Sequence, residues 1–220
     1  MQEMLKEWQG ALTLYQGAAH YCGLAGDNTP HRHYACQLVF ATGGNATVEL
    51  ESGTWQGTFL FIPSGEKHRL LPSPDPLDLI YIEPTLLGTE PVKDQSLESW
   101  LAFAQQAAMS HEDVRMTRAE AAIEAALGGK VTLGDIAKAA GLSKSGFSAL
   151  FRAKTGMPLR RYVLWRRLYL AVKAIIAGAD ATTAAHSAGF ADSAHFSRTM
   201  RETFGVSPTD SVLQIRMSVH

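Results

Sequence analysis

Apolar and polar positions alternate in short runs through roughly the first ninety residues. Residues 36–41 (CQLVFA), 46–50 (ATVEL), 58–62 (TFLFI) and 77–82 (LDLIYI) each read as a strand. Between them lie Gly43, Gly44 and Asn45, then Ser52 and Gly53, then the proline-rich stretch 72–76. Short strands at this spacing, punctuated by Gly and Pro, predict an antiparallel sandwich or barrel. From Asp94 the period lengthens to that of a helix. Leu97, Leu101, Ala104 and Ala108 fall on one face, and a second helical segment over 118–127 stops at Gly128 and Gly129. The change of period falls at 84–96, around Pro84, Gly88 and Pro91.

The C-terminal half contains a loose internal repeat. Residues 133–143 (LGDIAKAAGLS) lead into 144–155 and then Gly156 and Pro158; residues 183–191 (TAAHSAGFA) lead into 192–204 and then Gly205 and Pro208. Each copy reads as helix, glycine turn, helix and stop. Leu133, Ile136, Ala137 and Ala140 follow i, i+3, i+4, i+7 and face inward, Gly141 relieves the turn, and Ser143 is placed as an N-cap. In the next helix Phe147, Leu150 and Phe151 point inward, while Lys144, Ser145, Ser148 and Arg152 share the outer face. Short hydroxyl and long basic side chains in one row suit base edges and phosphates in a major groove. In the second copy Phe196, Met200 and Phe204 line one face and His195, Arg198 and Arg201 another. Residues 159–177 between the copies lack Gly and Pro, which predicts a helix ~28 Å long, against a spacing of ~34 Å between successive major grooves. Its Arg160, Arg161, Arg166 and Arg167 are expected to approach phosphates.

Charge sharpens this division. The 220 residues carry a net charge of -1, but residues 1–110 hold 5 Lys+Arg against 12 Asp+Glu and residues 111–220 hold 15 against 9. Nine basic residues and one acid lie between Asp135 and Lys173, the footprint of a nucleic-acid binder. A hydrophobic share of 46% excludes a disordered or fibrous chain. No apolar run is long enough to span a bilayer, and the first residues lack the apolar core of a signal peptide. Two cysteines, Cys22 and Cys36, make no disulfide framework, so the expected location is cytoplasmic.

Residues 119–210 resemble the DNA-binding module of the AraC/XylS family of transcription regulators. The resemblance rests on Ile136, Ala137, Gly141, Ser143, Phe151, Gly156, Pro158 and Tyr162, on Arg167 and Ala171, and on the ordered run Gly189, Phe190, His195, Phe196, Arg198, Phe204, Gly205, Pro208. Met200 stands where the family usually has Phe, and Ala184 where it has Ile. The resemblance implies two helix-turn-helix motifs joined by a long helix. It also implies DNA readout at Lys144, Ser145, Ser148, Arg152, Ala194, His195, Ser197 and Arg198, and we add Arg166 as a phosphate contact.

In the acidic half the informative residues are His31, His33, Gln37 and His68. On a strand, positions 31, 33 and 37 leave one face, and a third imidazole from a neighbouring strand would complete a facial metal site. The spacing His31, His33, Gln37, Gly44, then Gly57, Pro63, Gly65, His68, resembles the two cupin motifs and implies a small β-barrel. Cupins usually carry Glu where this chain has Gln37, and Asn where it has Pro72. The implied cofactor is a divalent ion (Zn, Ni, Fe or Mn), and its binding is expected to weaken as pH falls through ~6.5, the ordinary imidazole pKa. The other reading of the histidines is a pocket that hydrogen-bonds a polar or anionic effector.

The fold expected is therefore α+β: a cupin-like sensing domain over 1–92, a helical linker over 93–118, and an all-α DNA-binding domain over 119–220. The function expected is a sequence-specific regulator that binds double-stranded DNA, senses a small molecule or metal, works as a homodimer, and neither spans a membrane nor catalyses a reaction. The alternative is a metal-dependent cupin oxygenase or isomerase with an appended DNA module. Leu97, Trp100, Leu101 and Ala104, in the segment 96–110, suit either a contact between two copies or packing onto the chain's own strands.

Overall fold

The computed structural model describes residues 7–87, 96–106, 113–208 and 215–219. The chain forms two compact units, one of Met1–Ala108 with Met200–His220 and one of Met109–Thr199. The C-terminal segment therefore groups with the strands, whereas the sequence reading placed it wholly in the helical module.

The sheet unit contains β1 (Gln9–Tyr15), β2 (Ala18–Leu24), β3 (Cys36–Ala41), β4 (Ala46–Leu50), β5 (Gly53–Gly57), β6 (Phe59–Ile62), β7 (His68–Leu70), β8 (Leu77–Ile82) and β9 (Ile215–Val219). Among the described residues they form a six-stranded sheet in the order β6-β3-β8-β2-β1-β9 and a three-stranded sheet β5-β4-β7. The β1–β9 pairing is parallel, with Gly10 opposite Ile215. All six residues of β3 are buried, which explains its apolar run from Leu38 to Ala41. Leu38 and Phe40 face one cluster with Ile80, Ile82 and Ala104. Val39 and Ala41 face the other, which joins the two sheets through Val48, Leu70, Leu77 and Leu79. Gln37 shares the parity of Val39 and Ala41, so it is a polar side chain on the face between the sheets.

Helices α1 (Pro84–Leu87) and α2 (Leu97–Gln106) also belong to this unit. Leu97, Trp100 and Leu101 pack on the Leu38 cluster and Ala104 is fully buried there. The apolar stripe of α2 thus packs on the chain's own sheet, the second of the two arrangements its sequence suits. Ala108 and Ser110, at the end of that expected helix, lie outside the described residues.

The helical unit holds α3 (Val114–Ala126), α4 (Leu133–Ala139), α5 (Lys144–Thr155), α6 (Leu159–Ile176), α7 (Ala181–Ser187) and the first part of α8 (Ser193–Phe204). The side chains of Asp113, Thr132, Ser143 and Asp180 accept backbone N–H groups at the starts of α3, α4, α5 and α7. At 18 residues, α6 is ~27 Å long. Phe147 and Phe151 are buried as expected, but Leu133 is 37% exposed and drops out of the inward set. Ala184 and Met200 are both buried, so the departures from the family's bulkier residues remain core positions.

Both glycine turns have one geometry. Gly141 N–H donates to Lys138 and Leu142 N–H to Ala137; Gly189 N–H donates to His186 and Phe190 N–H to Ala185. Each is a left-handed helix terminus, with φ of 69° at Gly141 and 81° at Gly189. Their surroundings differ. A Cβ on Gly141 meets nothing within 4 Å, whereas one on Gly189 overlaps the Leu127 carbonyl oxygen and meets Arg167 Nε at 3.0 Å. Gly141→Ala should therefore lower stability by about 1–2 kcal/mol, the left-handed penalty alone. Gly189→Ala should lower it further because backbone must move. Urea unfolding of the full chain checks this, and equal midpoints for the two variants would contradict it.

Candidate functional site

His31, His33 and His68 converge, but not through strand parity. Only β3 and β7 are regular here; His31 lies outside any strand and is held by a two-way backbone bridge, its N–H donating to the His68 carbonyl and its carbonyl accepting the His68 N–H, each at 2.9 Å. His33 is positioned by the turn that begins at Pro63. Gly65, at φ 78°, donates its N–H to the His33 carbonyl at 2.9 Å, and Glu66 N–H closes the turn on Pro63. The ring centroids stand 4.4 Å apart for His31 and His68, 4.9 Å for His33 and His68, and 5.7 Å for His31 and His33. Among the described residues these side chains form a group whose ligand atoms all lie within 4.8 Å of one another.

The hydrogen bonds decide the tautomers. Nδ1 of His31 lies 2.8 Å from the Thr29 carbonyl, Nδ1 of His33 lies 2.7 Å from Ala35, and Nδ1 of His68 lies 2.9 Å from Glu66. A carbonyl oxygen only accepts, so each Nδ1 carries a proton and each neutral ring leaves its Nε2 lone pair free for the centre. This is the orientation that backbone carbonyls impose on metal-binding imidazoles. Burial first, then the neighbouring imidazoles, lowers His31 to about 3 and His33 to about 4, and burial lowers His68 as well. The rings are neutral at pH 7. Protons should thus compete with an ion near pH 4, below the ~6.5 expected from sequence.

Gln37 tests the fit of a cation. Its Oε1 lies 3.0 Å from His33 Nε2 and 3.1 Å from His68 Nε2. With both Nε2 atoms unprotonated, an oxygen lone pair faces two nitrogen lone pairs. Two arrangements relieve this: a cation among them, or an amide turned so that its NH2 donates to both rings. Donors ~2.1 Å from one ion and at right angles stand ~3 Å apart, so the spacing suits an ion held by Gln37 and imidazoles. Tyr81, opposite Gln37 in the β3–β8 register, stacks edge-on to His33 at 5.3 Å. Neither the carbonyl partners nor Tyr81 was legible in the sequence, because no spacing rule marks a carbonyl two residues from a histidine.

The second group of site residues lies on α5 and α8. Lys144, Ser145, Ser148 and Arg152 are all exposed, along with Ala194 and Arg198; His195 and Ser197 are half-buried. Phe147 and Phe151 anchor α5 from below, and Phe151 packs edge-on to Tyr162 of α6. The second copy is anchored by Phe190, which stacks with Phe196 and edge-on with His195, each at 5.3 Å. Asp192 accepts the His195 backbone N–H at 2.6 Å.

Arg166 departs from expectation. It is buried, its Nε donates to Glu124 at 2.7 Å, and its guanidinium lies over Tyr169. Arg167 donates to the Leu127 and Gly129 carbonyls that end α3. Both are framework groups that tie α6 to α3, not part of the exposed row; Arg160 and Arg161 remain exposed. No spacing rule links Arg166 to an acid 42 residues earlier.

No helix among the described residues is long and apolar enough to cross a membrane. The family described as a helix-turn-helix domain matches residues 136–212. The chain is 36% identical over 85 residues to the transcriptional activator RhrA of Rhizobium meliloti, covering 37% of this chain and 27% of that protein. It is 39% identical over 109 residues to the transcriptional activator NphR of a Rhodococcus species, covering 48% and 32%. The chain thus spans about a third of the length of these relatives. The fold resembles ToxT from Vibrio cholerae, in its apo form at a TM-score of 0.60 with 9% identity over 90% of this chain and 98% of that one. The unsaturated-fatty-acid-bound form aligns at 0.58 and 9%, covering 94% of each chain. Residues 136–212 thus form a helix-turn-helix domain, similar to those of transcriptional activators.

Proposed function

We propose that this chain is a sequence-specific DNA-binding transcription regulator whose sheet unit senses a ligand at the histidine cluster. The observation that carries the reading is the exposed row Lys144, Ser145, Ser148 and Arg152 on α5, inside the matched helix-turn-helix segment. On this reading α5 and α8 are the recognition helices of two helix-turn-helix motifs, spaced by α6. Lys144 and Arg152 meet phosphates, the serines meet phosphates or base edges, and Arg198 on α8 reads a guanine through paired donors, with Ala194, His195 and Ser197 beside it. Such a protein acts on DNA in the cytoplasm, and pairing of two copies would double the half-sites read.

The sheet unit on this reading is cupin-like, and His31, His33 and His68 with Gln37 hold a divalent ion. An ion there supplies a Lewis-acidic point at which an effector can be held. Because Gln37 is neutral, the protein leaves the ion's charge uncompensated, so an anionic effector gains most; ToxT, a distant likeness, is known with an unsaturated fatty acid bound. For the oxygenase or isomerase alternative, the adjoining Tyr81 phenol is a poor base, its pKa pushed far up by burial.

Two outcomes check these assignments. In selection from random duplexes, Arg198→Ala should lose preference at one base position, a discrimination of about 1–3 kcal/mol, and keep its salt dependence. Arg166→Ala should instead lower the unfolding midpoint by removing a buried side chain that packs on Tyr169 and bonds Glu124. If Arg198→Ala weakens all sequences alike, the base contact is wrong.

For the histidines, the folded pKa values lie below the unfolded value of ~6.5, so the unfolded chain binds more protons as pH falls. Metal-free protein should thus be fully stable above pH ~6.5 and lose stability between there and pH ~4, by about 2 kcal/mol from His33 alone at pH 5. His33→Ala, with one buried imidazole fewer, should show a shallower fall in thermal midpoint between pH 7 and 5. Parallel profiles would contradict the neutral, buried assignment.

A further inference from the structure

The segment that ends α8 reaches the histidine cluster. Gly205 terminates the helix at φ 74°, its N–H donating to Arg201. Its carbonyl accepts the Thr29 backbone N–H at 3.0 Å, and the Thr29 carbonyl in turn accepts the Nδ1 proton of His31 at 2.8 Å. One residue, Thr29, thus joins the helix terminus to a ring of the cluster. The fit is close: a Cβ on Gly205 would stand 2.5 Å from the Thr29 oxygen, 2.7 Å from His31 Nδ1 and 3.0 Å from Asn28 Cβ. The Phe204 ring lies 6.2 Å from both His33 and Tyr81. Glycine is required at 205 twice over, by its left-handed backbone and by this approach.

We infer that Phe204 and Gly205 form one wall of the histidine site, so that an occupant of the site fixes the C-terminal end of α8. This rests on the reading of the cluster as a ligand site. The cause is geometric. Nitrogens on one ion stand ~3.0–3.4 Å apart, and the cluster's ligand atoms span up to 4.8 Å, so loading draws the rings together by about an ångström. His31 moves with its Nδ1 partner Thr29, and Thr29 with Gly205. Any such coupling is reciprocal: what holds the α8 terminus in place also tightens the site.

Hydrogen exchange of the full chain at pH 7.5, with and without zinc chloride, tests the inference. Zinc should slow exchange several-fold in peptides covering 28–37 and 200–206 together. Gly205→Ala, and separately Phe204→Ala, should release zinc to a chelator about tenfold more readily than wild type. Slowing over 28–37 with no change over 200–206, or unaltered zinc retention in both variants, would overturn the wall. If zinc slows neither peptide in wild type, it is the metal reading that fails. The metal-free variants then decide: faster exchange at 28–31 in Gly205→Ala upholds the wall, and unchanged exchange there overturns it.

Discussion

Three backbone carbonyls, those of Thr29, Ala35 and Glu66, hold the Nδ1 protons of His31, His33 and His68, and the character of the sheet unit follows from that constraint. A free imidazole chooses between tautomers and turns about two bonds. A ring whose Nδ1 is tied to main chain does neither, so its Nε2 becomes a fixed lone pair. Three such lone pairs inside a buried site disfavour protonation and favour a cation or a donor amide. Gln37 stands between two of them on the inner face of β3, where its neighbours Val39 and Ala41 are apolar. A polar residue at that position is costly without partners, and the imidazoles supply them.

The helical unit obeys a different constraint. Its two copies share one turn, built from the same pair of backbone hydrogen bonds at Gly141 and Gly189, and each places a helix on aromatic anchors with a polar row outward. The copies are not equivalent. The first turn stands in open space, while the second is pressed against the end of α3, where Arg167 caps the carbonyls of Leu127 and Gly129. Two of the basic residues on α6 thus serve the scaffold, and the exposed positive row is concentrated on α5.

Local rules carried the sequence reading far. The runs at 36–41, 46–50 and 77–82 are β3, β4 and β8, and the Ser143 cap and both glycine turns stand where the pattern put them. Elements with weak patterns escaped it: β1 and β2 are rich in Ala and Gly, β7 has three residues, and β9 takes its place only by pairing with β1 across the whole chain. The histidine trio was legible as a set, yet the reason offered, strand parity, was wrong, because His31 and His33 precede β3 and are placed by a bridge and a turn. Long-range partners stayed hidden throughout. Glu124 for Arg166, the sheet beneath α2, and Gly205 beside Thr29 each depend on residues distant in sequence, which periodicity does not register.

The claim on which the account turns is that His31, His33 and His68 hold a divalent ion through Nε2 lone pairs fixed by main-chain carbonyls. Metal content of the purified full chain and of His33→Ala at pH 7.5, after equilibration with zinc and removal of the excess, measures it directly. Close to one ion per wild-type chain is expected, and a content well below that in His33→Ala, with the fold retained. Equal occupancy in the two proteins, or none in either, would contradict it.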